Sequence, residues 1–145
     1  MAETLTTIFN AITGITAIIG IIYVSAQVSA SRKSTRAQLW LMIDGRLLEY
    51  HDSVYKNLRP GGKWSAKDAV ISDVEWTEIT AYIGLFERMK VFLDDNLLDL
   101  QTFKLFYGRR VGNLISNPYV RNRIDGDRNS WKFFINLAKL VGYEI

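Results

Sequence analysis

No cysteine occurs in the 145 residues, which excludes disulfides, thiolate nucleophiles and cysteine-held metals. Histidine is nearly as scarce. His51 stands alone, so a multi-histidine metal site is excluded too. The only prolines are Pro60 and Pro118, so nothing breaks a helix before residue 60. Also missing are the phosphate-cradling glycine loops, the nucleophile elbow and the His-Glu-x-x-His zinc motif. Gly61-Gly62-Lys63 is too short to serve as a phosphate loop. These gaps leave no catalytic residue, cofactor or metal to assign, and the expected function is non-enzymatic.

The longest absence is of charge. From Thr4 to Ser31, 28 consecutive positions carry none, and isoleucine dominates the centre. About 20 helical residues cross the ~30 Å hydrocarbon layer of a bilayer. The run therefore predicts a transmembrane helix with a short amino-terminal tail over residues 1–28. A signal peptide would start with basic residues, whereas this chain starts Met1-Ala2-Glu3. The basic residues come after the run, at Arg32, Lys33 and Arg36, with no acid until Asp44. They suit anionic headgroups and set topology: amino terminus outside, residues 29–145 in the cytoplasm.

The span is polar for a simple anchor. Thr6, Asn10, Thr13, Ala17, Gly20, Val24 and Gln27 alternate in steps of four and three, which aligns them on one stripe. All but Val24 are small or polar. Small residues let helices approach closely in lipid, and Asn or Thr can hydrogen-bond across the contact. The stripe points to self-association or docking on a larger membrane complex. A lone anchor whose hydroxyls bond their own helix is one alternative, and a pore lined by the stripe is another.

Beyond the span, the spacing predicts a cytosolic bundle of about four helices, the first continuous with the membrane helix. Trp40, Ile43, Leu47, Tyr50 and Val54 form an apolar stripe that ends at Pro60-Gly61-Gly62. Ser72 to Glu75 reads as a capping box for a helix with Trp76, Ile79, Ile83, Phe86 and Leu93 inward. Asp99 caps a third helix, with Phe103, Phe106 or Tyr107, Arg110 or Val111, and Leu114 facing the core. Asn117-Pro118 breaks it, and a short helical turn follows to Ile124. Asn129 or Ser130 then caps a last helix carrying Trp131, Phe134, Ile135, Ala138 and Val141. The chain is thus expected to be all-α, with a span at 1–28 and a bundle at 29–145.

Two clusters invite chemistry. Asp94, Asp95 and Asp99 lack the spacing of a calcium loop and read as a helix–helix turn. His51 beside Asp52 has no converging nucleophile and reads as a boundary residue of the bundle. Charge is more informative. Residues 101–145 hold eight basic and three acidic groups, whereas residues 29–100 are nearly balanced. Arg109, Arg110, Arg121, Arg123 and Arg128 fall within 20 positions. They form either a solvated basic face near an anionic membrane or a site for an anionic, nucleotide-like small ligand. So small a net charge on a tethered domain argues against nucleic acid as the partner.

The order of features resembles an uncharacterised family of short bacterial single-pass membrane proteins. The matching residues are Ala11 to Gly14, Ile22-Tyr23-Val24, Gln27-Val28 and Thr35-Arg36-Ala37 in the first helix. Later come Phe86-Glu87, Asn96-Leu97-Leu98-Asp99 with Phe103, and Ser116 to Arg121. Asn96 stands where the family usually has glycine, and Asn117 is an insertion. The resemblance implies a bacterial inner-membrane location and the topology above, and it carries no activity. The expected function is an accessory subunit or self-associating scaffold of a membrane complex, with lipid and a homo-oligomeric or larger assembly as partners. The alternative is a signalling or defence effector whose basic face binds an anionic ligand and whose span oligomerises.

Overall fold

The computed structural model describes residues 2–144, with side chains described from residue 19 onward. Among the described residues the fold is all-α, with no strand. The order is α1 (Ala2–Glu49), a π-helical turn (His51–Tyr55), α2 (Lys56–Leu58), α3 (Asp73–Asp94), α4 (Leu100–Ser116), α5 (Pro118–Gly126) and α6 (Lys132–Val141). The chain divides into two units, Met1–Gln38 and Leu39–Ile145. The packing boundary thus falls ten residues beyond the expected end of the span. Bundle contacts begin at Leu39 and Trp40, whereas the span was delimited by charge.

In the first unit α1 is the only element. Its described apolar residues Ile19, Ile21, Ile22, Val24 and Val28 are exposed. Among the described residues no helix is long and apolar enough to cross a membrane. The uncharged run starts at Thr4, so more than half of it precedes the first described side chain.

The second unit is built around the stripe that the sequence predicts. Ile43, Leu47 and Val54 are buried, with Trp40 and Tyr50 packed against them. The helix does not run regularly to Tyr55, however. The Tyr55 N–H bonds the Tyr50 carbonyl five residues back, at 2.9 Å. This wider turn changes the phase of the helix. Val54 and Leu58 both enter the core, while Tyr55 turns to α4 and accepts a hydrogen bond from Asn113 at 3.2 Å.

The capping box of α3 is formed in both directions. The Glu75 N–H donates to Ser72 Oγ, and the Glu75 carboxylate accepts from the Ser72 N–H at 2.8 Å. Lys63, paired with it at 2.7 Å, and then the Ser72 N–H and hydroxyl hold the Glu75 carboxyl pKa down at about 2. α3 buries Ile79, Tyr82, Ile83, Phe86 and Met89 and packs chiefly on α6, while Leu93 is half-buried. In α4 the inward residues are Tyr107 and Val111; Phe106 is 63% exposed, and Arg110 is half-buried. α6 starts one to two residues later than its expected caps. Asp127 takes the Ser130 hydroxyl at 2.6 Å, and Trp131 becomes a cap without a side-chain bond.

Asn96 and Asn117 each occupy a position with a specific structural demand. Asn96 has a φ of 55°, in the left-handed region that favours glycine and that asparagine tolerates. Asn117 is 3% exposed and uses both ends of its amide. Its Oδ1 accepts from the Tyr119 and Val120 N–H groups at 3.1 and 3.2 Å, capping α5. Its Nδ2 donates to the Trp64 carbonyl at 2.8 Å and the Leu58 carbonyl at 3.4 Å. The irregular segment after α2 is thereby fixed to the α4–α5 break, with Trp64 buried beneath it. Gly62 is a second fixed point there, because an added Cβ would lie 2.2 Å from the Lys56 carbonyl oxygen.

Asn117→Ala should destabilise the protein by about 2–4 kcal/mol, since it removes a cap and orphans buried backbone groups. Asn117→Asp keeps the cap but aims a carboxylate at two carbonyls, so it should lose as much. Urea unfolding followed by tryptophan fluorescence measures both; an unperturbed Asn117→Asp would contradict the bonding described.

Candidate functional site

The sequence-predicted residues fall into three settings. Of the stripe in the first unit, Thr6, Asn10, Thr13 and Ala17 lie outside the described side chains. Gly20, Val24 and Gln27 are exposed on α1. Arg32, Lys33 and Arg36 are also exposed, in the last turns of that unit. Two hydroxyls on this helix bond their own backbone: Ser25 donates to the Ile21 carbonyl at 2.8 Å and Thr35 to the Ser31 carbonyl at 3.0 Å.

The arginines do not converge. Arg109 is exposed on α4. Arg110 lies 4.5 Å from the Tyr55 ring centroid and donates to the Tyr82 hydroxyl at 3.4 Å. Arg123 covers the Trp76 ring at 5.2 Å and the Tyr119 ring at 5.4 Å, and donates to the Tyr119 hydroxyl at 2.9 Å. Arg128 and Arg121 share Asp125, at 2.7 and 3.9 Å. A phosphate site needs guanidinium forks aimed at one point. Here Arg110 and Arg123 each face aromatic rings, and Asp125 already sits between Arg121 and Arg128.

Around Arg110 the structure assembles a polar seam that sequence reasoning missed. Trp40 stacks on Tyr107 with centroids 5.7 Å apart, and the Tyr107 hydroxyl donates to Asp44. Tyr50 packs on Tyr82 at 5.8 Å. Burial pushes the Tyr82 hydroxyl up to about 12, against the pull of Arg110. Burial and then the Asp44 carboxylate push Tyr107 higher still. Both hydroxyls therefore stay protonated at neutral pH. The Tyr107 hydroxyl ties α1 to α4 through Asp44, and the Tyr82 hydroxyl ties α3 to α4 through Arg110. Nothing in the sequence pairs residues 63 positions apart, so only the aromatic content of both stripes hinted at this seam.

The remaining candidates lie apart from this seam. Asp94 pairs with Lys90, and Asp99 caps α4 through the Thr102 N–H at 2.7 Å. Among the described residues no group of His, Asp and Glu is arranged to hold a metal. His51 is half-buried against Tyr55 at 5.5 Å, with Nδ1 unpartnered. A cleft of about 250 Å³ opens beside Asn117, lined also by Leu58, Pro60, Ser65, Asn113, Ser116 and Pro118. Its polar lining is largely committed, since Asn113 bonds Tyr55 and Ser65 bonds the Gly62 carbonyl at 2.8 Å. The chain matches no protein-family model, no curated protein and no solved structure.

Glu87 on α3 meets the first turn of α6, where it accepts from the Phe134 N–H. Its Oε1 is buried without a partner, and burial raises its pKa above the ordinary carboxylate value. A raised folded-state pKa means that the folded form holds the proton longer, so stability falls as pH rises through that range. Glu87→Gln should therefore flatten the decline in thermal midpoint that Glu87 causes as pH rises above the ordinary carboxylate value. Identical pH slopes for wild type and variant would show that Glu87 contributes nothing to it.

Proposed function

We propose that this protein is a non-enzymatic, single-pass membrane scaffold that self-associates or joins a larger membrane complex. The observation that carries the reading is the 28-residue uncharged run closed by Arg32, Lys33 and Arg36. The described part of that run supports it, because Ile19, Ile21, Ile22, Val24 and Val28 stand exposed together on α1. Exposed apolar residues at such density mark a surface meant for lipid or another protein. The basic cluster favours a cytoplasmic bundle and a short amino-terminal tail outside. In this reading the bundle is an adaptor of ordinary stability.

The effector reading, with an anionic ligand on the basic face, has less support. It needs the arginines to converge, and four of the five engage rings or Asp125 within the domain. The family resemblance points to the same bacterial inner-membrane topology and rests on the short motifs quoted above.

The absence of cysteine makes the topology directly testable by single substitutions. The full chain should remain with membranes after alkaline carbonate washing. Ala2→Cys should react with an impermeant maleimide from outside intact cells, and Val70→Cys only after permeabilisation. Release by carbonate would overturn the span, and the opposite labelling pattern would overturn the orientation.

A further inference from the structure

α4 turns Phe103, Tyr107, Val111 and Leu114 into the core. Near its carboxyl end it is also covered at Gly112, where an added Cβ would collide with the Tyr143 ring. The outer side of its amino-terminal half has no such cover. Leu105 is 79% exposed and Phe106 is 63% exposed, side by side. Arg109, also exposed, follows them by one turn of helix, and half-buried Lys104 precedes them.

Charge is the second observation. α4 carries Lys104, Arg109 and Arg110 and no acidic residue. Arg110 is engaged with Tyr55 and Tyr82. Lys104 and Arg109 form no ion pair among the described residues. Two acids border this stretch, and both are engaged within the domain. Asp99 caps α4, and Asp44 accepts from the Tyr107 hydroxyl. The exposed leucine and phenylalanine therefore stand between two cations that no carboxylate neutralises.

Position is the third. The Phe106 and Tyr107 ring centroids are 6.3 Å apart, and Tyr107 stacks on Trp40. Trp40 is the second residue of the bundle unit, and in the sequence it follows Arg36 by four positions. The exposed pair thus lies beside the segment by which the chain enters the bundle.

We propose that Leu105 and Phe106 dip into an anionic lipid surface, with Lys104 and Arg109 meeting its phosphates. The inference rests on the single-pass reading and deepens it by giving the bundle a face toward the bilayer. Apolar and aromatic tips flanked by Lys and Arg are the composition that seats amphipathic helices at a bilayer interface. Anionic headgroups complement cations left without acids. A span in the same chain keeps the face close to lipid, so a contact of two apolar side chains suffices.

Single cysteines carrying a fluorophore test this in the full chain, reconstituted in vesicles that contain lipid with a nitroxide near the headgroup. Leu105→Cys and Phe106→Cys report the face. Val70→Cys and Val74→Cys, 87% and 74% exposed, are the controls. The vesicles are phosphatidylglycerol with phosphatidylethanolamine, or phosphatidylcholine alone. In the anionic vesicles, quenching should be several-fold stronger at Leu105→Cys and Phe106→Cys than at the controls. Lys104→Glu with Arg109→Glu, added to Phe106→Cys, should lower it to the control level. Equal quenching at all four sites overturns the proposal, and so does equal quenching in phosphatidylcholine. A chain that resists carbonate washing but is quenched at neither α4 site overturns the lipid face and leaves the span standing. A chain released by carbonate yet quenched at both α4 sites upholds the face and overturns the span. Shielding of both labels from iodide in native membranes but not in pure lipid overturns the lipid surface in favour of an acidic protein partner.

Discussion

The amide of Asn117 is the constraint on which the closed end of the bundle depends. With its carbonyl it starts α5, and with its NH₂ it holds two backbone carbonyls of the segment leading away from α2. That segment has no helix of its own between Leu58 and Asp73, so its backbone groups need partners from elsewhere. Trp64 is buried under it, and Gly62 permits the close return past the Lys56 carbonyl. Without this tie, the loop, the α4–α5 break and the buried tryptophan would each have to be stabilised separately.

The other end of the domain is organised by aromatic rings bearing polar tips. Trp40, Tyr107, Tyr55, Tyr82 and Arg110 let α1 and its π-helical turn meet α4 and α3 through ring contacts, with the hydroxyls and guanidinium paired at the edges. Tyrosine suits such a seam because its ring buries like a hydrophobe while its hydroxyl finds a partner. The same arrangement accounts for the fate of the basic residues. A guanidinium over a ring contributes to the packing of the domain, and Arg110 and Arg123 are placed in this way.

Much of the architecture was legible in the chain. The capping box at Ser72, the Asp99 cap and the apolar stripes are local signals, because each depends on residues within one or two turns of each other. Ambiguities arose where two neighbouring residues fitted one stripe. Phe106 and Tyr107 both did, and the nearby Asp44 and Trp40 selected Tyr107. The π-helical turn was not legible, since its cause is the demand that Val54 and Leu58 be buried while Tyr55 reaches α4. Neither was the role of Asn117, whose partners lie more than 50 positions away.

The sequence by itself determined that the chain is helical, that it has no cysteine and a single histidine, and that an uncharged run precedes a basic cluster. Those properties are composition and short-range periodicity, which folding does not alter. Only the tertiary structure decided which arginines are committed to rings, which asparagine is buried, and which face of α1 is left uncovered. Each of those depends on residues distant in sequence and close in space. Leu41 lies two residues from Ile43 and Leu48 is next to Leu47 in the chain, and burial of Ile43 and Leu47 turns Leu41 and Leu48 outward.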